Sequence, residues 1–316
     1  MSSFDKNIFS LNATALMKSE EYINTLQGGH LLESLCMRYD LIKNTKINEN
    51  IINTAFKTCM ESKKKFNVPC SVTIVPDNNQ NTQHFLWCAR LFYNHYKNCN
   101  IEKYKDLSRE IVNYVCDNHV YLDTKILINW INCEKWNSKA NRVSIKSLTC
   151  AEMLIIFDKE DYLNATLEFI KNEIYNPDTH LFYSYYDFEI KKGLNKLETF
   201  LHENLEIAEG LFNCYEITKN EELFNFTKNI VEASCQEIKI NKNVNNLSRL
   251  QCYYWAKKYN IDIDLTFIKL EVDKIIEIYE KSGIISPYTN YKKKNNVFGH
   301  IYLQRIYNEF PEDFQK

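Results

Sequence analysis

"TFLHENLEIAEGLFNCYEITKNEELFNFTKNIVEASCQEIKI", residues 199–240, contains the repeating unit of this chain. From Leu201 to Tyr215 the segment is apolar nearly all round, whereas after the link "ITKNEELF" Leu223, Ile230, Val231 and Ile238 fall on one helical stripe. A helix apolar on every face must be buried on every face, and a helix with a single stripe lies on the outside. Asn220 sits in the link, where its side chain can cap the free amides of the next turn. The spacing predicts an inner helix over 198–218 and an outer one over 221–238.

The same grammar recurs along the chain. Inner helices are expected at 28–44, 81–98, 144–158, 245–259 and 296–310, with outer partners at 48–66, 102–118, 161–175 and 264–281. The links "IKNTKINENI", "HYKNCNIEKY", "FDKEDYL" and "KYNIDIDLTF" each carry Asn or Asp near a helix start. "DIDLT" at 262–266 reads as such a cap. A repeat period of about forty to sixty residues marks a repeat architecture. The last inner helix has no partner after it, and a helix at 12–26 is the candidate to close the ring. Six such hairpins describe an all-α (α/α)6 toroid, a single domain over 1–316. Short β-like segments, "CSVTIVPDN", "HVYLDTKILINW", "HLFYSYYDFEI" and "GIISPYTNY", are expected on one face. The alternative, a right-handed α-solenoid, would carry polar capping repeats at both ends, and neither terminus has that composition.

Only six glycines and five prolines punctuate the 316 residues, which suits long helices with short links. The net charge of −2, with both signs mixed along the chain, offers no basic face for nucleic acid. Lys63, Lys64 and Lys65 end a helix, where cations complement the dipole, and Lys292, Lys293 and Lys294 read as a solvated loop. The eleven cysteines stand singly with no CxxC pair, so a zinc site of the usual spacing is not expected, nor is any other metal or cofactor. They read instead as reduced core residues. The N-terminus lacks the apolar run of a signal peptide and no stretch has a membrane span's ~20 apolar residues. The expected location is the cytoplasm, with no membrane partner. GxSxG, Walker and dinucleotide motifs are absent from the sequence.

Four of the seven histidines, His30, His84, His202 and His300, fall in the first turns of inner helices. Imidazole takes and gives protons near neutral pH, and such helix starts would converge on one mouth of a toroid. His30 follows Gly28 and Gly29, and His300 follows Gly299; ring closure would make their helices neighbours, with the two imidazoles acting on one substrate. Glu33, Glu152, Glu203 and Glu206 accompany them. Glu206 lies in "NLEIAEGLF", where a carboxylate is costly unless it lines a polar cavity or finds a partner. The candidate catalytic residues are His30, His300, His202 and Glu206. Arg90, Arg249 and Arg305 are lone cations within apolar runs, suited to sugar hydroxyls or to pairing with carboxylates. With His84, Trp87 and Tyr253 they form the candidate substrate-binding set; Tyr254 and Trp255 offer further ring surface.

"GGHLLESLCMRYDLIKNT" and "HFLWCARLFYNHY", the latter through Trp87, Ala89, Arg90, Leu91 and Tyr93, resemble helices of the N-acylglucosamine 2-epimerase family. His84 stands where that family carries an arginine. The resemblance implies an open-chain sugar deprotonated beside its carbonyl by one histidine and reprotonated by another. "YNPDTHLFYSYYD" resembles a loop of the unsaturated glucuronyl hydrolases, with Asp178 and Asp187 as the matching acids. The reading is a sugar epimerase or isomerase acting on a small-molecule substrate. A glycoside hydrolase with paired carboxylates and a non-catalytic toroid that binds or scaffolds are the alternatives.

Overall fold

A computed structural model describes residues 39, 45–70, 80–131, 143–188, 191–194, 200–241, 243–282 and 292–314. The helices are α1 (Thr45–Phe66), α2 (Thr82–Cys99), α3 (Glu102–Asn118), α4 (Glu152–Ile156), α5 (Glu160–Glu173), α6 (Phe200–Thr218), α7 (Glu221–Ile240), α8 (Asn246–Lys258), α9 (Leu265–Ser282) and α10 (Lys292–Glu309). The described residues divide into two compact units, one ending at Ser234 and the other beginning at Cys235, within α7.

In the first unit the inner and outer helices differ as their patterns require. Helix α2 buries ten residues from Thr82 to Phe92 on all its faces, whereas α3 buries only the stripe through Tyr104, Leu107, Ile111, Val112 and Val115. The two pack along their length. Helix α6 is buried continuously from Leu201 to Phe212. Two- and three-residue strands join the helices: β1 (Gln80–Asn81) pairs with β2 (Trp130–Ile131), β4 (Tyr175–Asn176) with β5 (Leu181–Phe182), and β6 (Tyr185–Asp187) lies between β3 (Val143–Ser144) and β7 (Lys192–Leu194). Every pairing is antiparallel. In the second unit α8 packs against α9 and α10, and a 3₁₀ turn at Pro311–Phe314 returns onto α10.

The links cap as expected in part. Asn220 accepts from Glu222 N at 3.0 Å and Asp264 from Thr266 N at 3.0 Å; outside the links, Asn81 accepts from Gln83 N at 2.9 Å and Asn245 from Ser248 N at 2.7 Å. Asn100 and Asp158 do something else. They take left-handed backbone, φ 55° and 58°, and stop the preceding helix instead of starting the next.

Two expectations are corrected. The inner helix predicted over 144–158 is broken into a 3₁₀ turn, Ile145–Leu148, and the short α4, with Cys150 at φ 60° between them. Lys292, Lys293 and Lys294 open α10 and are not a loop. The helix proposed at 12–26 and the segments at 71–79 and 283–291 lie outside the described residues. No described helix is long and apolar enough to cross a membrane.

His119, just past α3, shows a histidine held for structure. It is fully buried, its Nε2 donating to Gln80 Oε1 at 3.1 Å and its Nδ1 facing Thr82 Oγ1 at 2.9 Å, so it ties the end of α3 to the start of α2. Burial lowers its pKa from 6.5 to about 3. The unfolded chain therefore takes up the proton first as pH falls, and the histidine's neutral form supports the fold fully only above about pH 6.5. Urea midpoints should fall between pH 6.5 and 3, and His119→Gln should flatten that loss; an unchanged slope in the variant would assign the acid sensitivity elsewhere.

Candidate active site

Helix α6 carries His202 and Glu203 side by side in its first turn, with Glu206 four residues on from His202 and Glu209 three residues on from Glu206. All are buried, Glu206 to 2 % exposure and His202 to 6 %. Glu206 has a polar neighbour near each oxygen. Its Oε1 lies 2.7 Å from His202 Nε2, and its Oε2 accepts from Gln83 Nε2 at 3.3 Å and lies 3.7 Å from Lys146 Nζ. Lys146 also reaches Glu203 Oε1 at 3.2 Å. A carboxylate this close to an imidazole is a setting in which a histidine can serve as general acid or base.

Further along α6, Arg90 joins a second pair of acids. Its Nε lies 3.4 Å from Glu152 Oε1 and its Nη1 3.4 Å from Glu209 Oε1, while Nη1 also donates to Cys150 Sγ at 3.8 Å. The guanidinium stands 5.3 Å over the Trp87 ring. Four buried carboxylates (Glu152, Glu203, Glu206, Glu209) thus face two cations and one histidine, all within the first unit.

Local structure explains the placement. Ser144 Oγ caps the 3₁₀ turn by accepting from Lys146 N at 3.3 Å and donates to Ser184 O at 3.0 Å, which anchors the turn to the β3–β6 pair. Gly210 lets α6 approach that turn. A Cβ at this position would stand 2.2 Å from Leu148 O and 3.3 Å from Cys150 N, both backbone atoms. Gly210→Ala should therefore push α6 from the turn and destabilise the protein by about 1–3 kcal/mol, the scale of overpacking. Thermal melting checks it; a variant as stable as the parent would mean that the turn yields without cost.

Of the residues singled out in the sequence, His202 and Glu206 are brought into direct contact, and Arg90 joins the same helix. His84 is buried beside Gln83 at the start of α2, and Trp87 is wholly buried under Arg90. Among the described residues Trp87 Nε1 has no hydrogen-bond partner. Asp178 is exposed in the β4–β5 turn, while Asp187 is buried on β6. Arg249, Tyr253 and Arg305 belong to the second unit. There Arg249 donates to Asn246 Oδ1 at 3.0 Å and lies 3.7 Å from Glu271, and Arg305 stacks 4.8 Å over Tyr302. Tyr253 donates to Asp313 at 2.7 Å; burial and that bond push its phenol well above the usual range. His30 and the side chain of His300 lie outside the described residues.

Sequence reading missed Lys146, Gln83 and Glu209. The three-residue rhythm of Glu203, Glu206 and Glu209 inside an apolar helix was a visible signal for the last. Lys146, in a run of small and apolar residues, left none.

No protein-family model matches the chain, and no curated relative does. Its fold is nevertheless a known one, the (α/α)6 toroid. A family 105 glycoside hydrolase from C. acetobutylicum ATCC 824 superposes at a TM-score of 0.67 with 13 % identity, covering 95 % of this chain and 99 % of that one. A D-mannose isomerase gives 0.63 with 10 % identity over 86 % and 83 %, and the cellobiose 2-epimerase of Bacillus thermoamylovorans B4167 gives 0.60 with 10 % identity over 87 % of each chain. At these identities the likeness is one of fold.

Proposed function

We propose that the chain is a carbohydrate-active enzyme, a sugar isomerase or epimerase, with its acid–base centre on α6. The observation that supports this most is the His202–Glu206 pair, held by Lys146 and Gln83 at a buried stripe of α6. In the reaction, His202 removes the proton from the carbon beside the carbonyl of an open-chain sugar. Glu206 stabilises the imidazolium that forms, and Lys146 and Gln83 hold Glu206 in place. Isomerisation returns that proton to the former carbonyl carbon, while the proton of the neighbouring hydroxyl passes to the carbonyl oxygen. Epimerisation needs a second acid on the opposite face, the role proposed for His30. His84, Trp87 and Arg90 are the proposed substrate contacts in the first unit.

A hydrolase is the second reading, favoured by the four buried carboxylates flanking Arg90 and Lys146. Hydrolysis would need two of them across the scissile bond. A panel of aldoses, ketoses, reducing disaccharides and glycosides incubated in D2O separates the readings. Deuterium entering beside the carbonyl supports proton transfer, and new reducing ends without deuterium support hydrolysis. Neither, across the panel, would make the chain a non-catalytic toroid.

A further inference from the structure

We propose that Cys59, Cys70 and Cys88 form a trigonal thiolate site for one monovalent copper ion. Cys59 lies on α1, Cys70 just beyond its end and Cys88 on α2, and all three are 0 % exposed. Their sulfurs lie within 4.8 Å of one another, with Cys59 and Cys88 3.5 Å apart. The positions are eleven and eighteen residues apart in the chain, a spacing that no linear zinc motif would reveal.

The triangle has the dimensions of a metal-thiolate set. Bonds of ~2.3 Å place the sulfurs of a trigonal site about 4.0 Å apart, so an ion at the centre needs shifts of under an ångström. Soft thiolate donors select monovalent copper, zinc or iron–sulfur clusters. Structural zinc takes four ligands, and among the described residues the group has three members, with no histidine or carboxylate beside them. Three-coordinate copper needs no fourth. Without a metal, a buried cysteine in apolar surroundings holds its thiol proton. Binding displaces those protons to solvent as the copper–sulfur bonds form, and no electron changes hands.

The test uses the full chain, kept reduced and anaerobic, with Cu(I) supplied as the ion in competition with a coloured Cu(I) chelator. The parent should withdraw one equivalent, and its melting temperature should rise, because only the folded state assembles the site. X-ray absorption on the copper-loaded parent should show a shell of three sulfurs. Cys70→Ala and Cys88→Ala should each lower the affinity at least tenfold, whereas Cys235→Ala, which removes one of another buried thiol pair, should not. The absorption spectrum needs no variant and decides the matter if a substitution prevents folding. No withdrawal, a two-sulfur or nitrogen–oxygen shell, or affinity untouched by both Cys70→Ala and Cys88→Ala would overturn the site.

Discussion

Glu206→Gln is expected to cut turnover of the responsive sugar by roughly 10²-fold or more, the scale of a lost acid–base contribution, while the protein keeps its fold. The substitution is nearly isosteric, and the amide oxygen can still accept from Gln83 and Lys146. What it removes is the carboxylate 2.7 Å from His202 Nε2 on which the proposed proton abstraction relies. His202→Asn should fall to a similar level, and the double variant should lose little beyond either single one, because the two groups act as a unit. Initial rates, with circular dichroism and melting as controls, make the comparison. Additive losses would separate the pair into independent roles, and normal turnover in both variants would remove α6 from the chemistry.

Arg90→Leu is expected to cost stability, on the order of 3–5 kcal/mol, the penalty for taking one partner out of a buried ion pair. The side chains of Arg90, Glu152 and Glu209 are only 14 %, 8 % and 3 % exposed, so solvent can do little for the two carboxylates once the guanidinium is gone. Adding Glu209→Leu should recover part of the loss, since a buried charge without its cation is worse than an apolar side chain in the same place. Denaturant midpoints measure both. If Arg90→Leu melts with the parent and the double variant is no better, the triad contributes nothing to folding, and Arg90 is left with substrate binding as its reason.

Local regularities made the helices legible. Burial of every face or of one face leaves a periodic trace in the order of apolar residues, so α2, α3, α5, α6, α7, α8 and α9 start and stop within a few residues of their expected positions. Asn220 and Asp264 are caps because a short polar side chain meets free amides two or three residues on, a relation contained in a few consecutive residues. The same locality exposed Glu206, an acid where only apolar residues were affordable. Tertiary structure alone decided the rest. Lys146 meets Glu203 and Glu206 because a broken helix turns at Cys150 and Gly210 lets α6 approach that turn, across sixty residues of chain. Gln83 bonds to Glu206 across more than a hundred residues of chain, a meeting that depends on how α2 and α6 are brought together. Cys59, Cys70 and Cys88 read as scattered core residues until α1 and α2 pack and close them into a triangle. Pattern along a chain reports which face of an element is buried; which charges and sulfurs then meet depends on how buried faces are brought together, and that is set by packing between segments far apart in sequence.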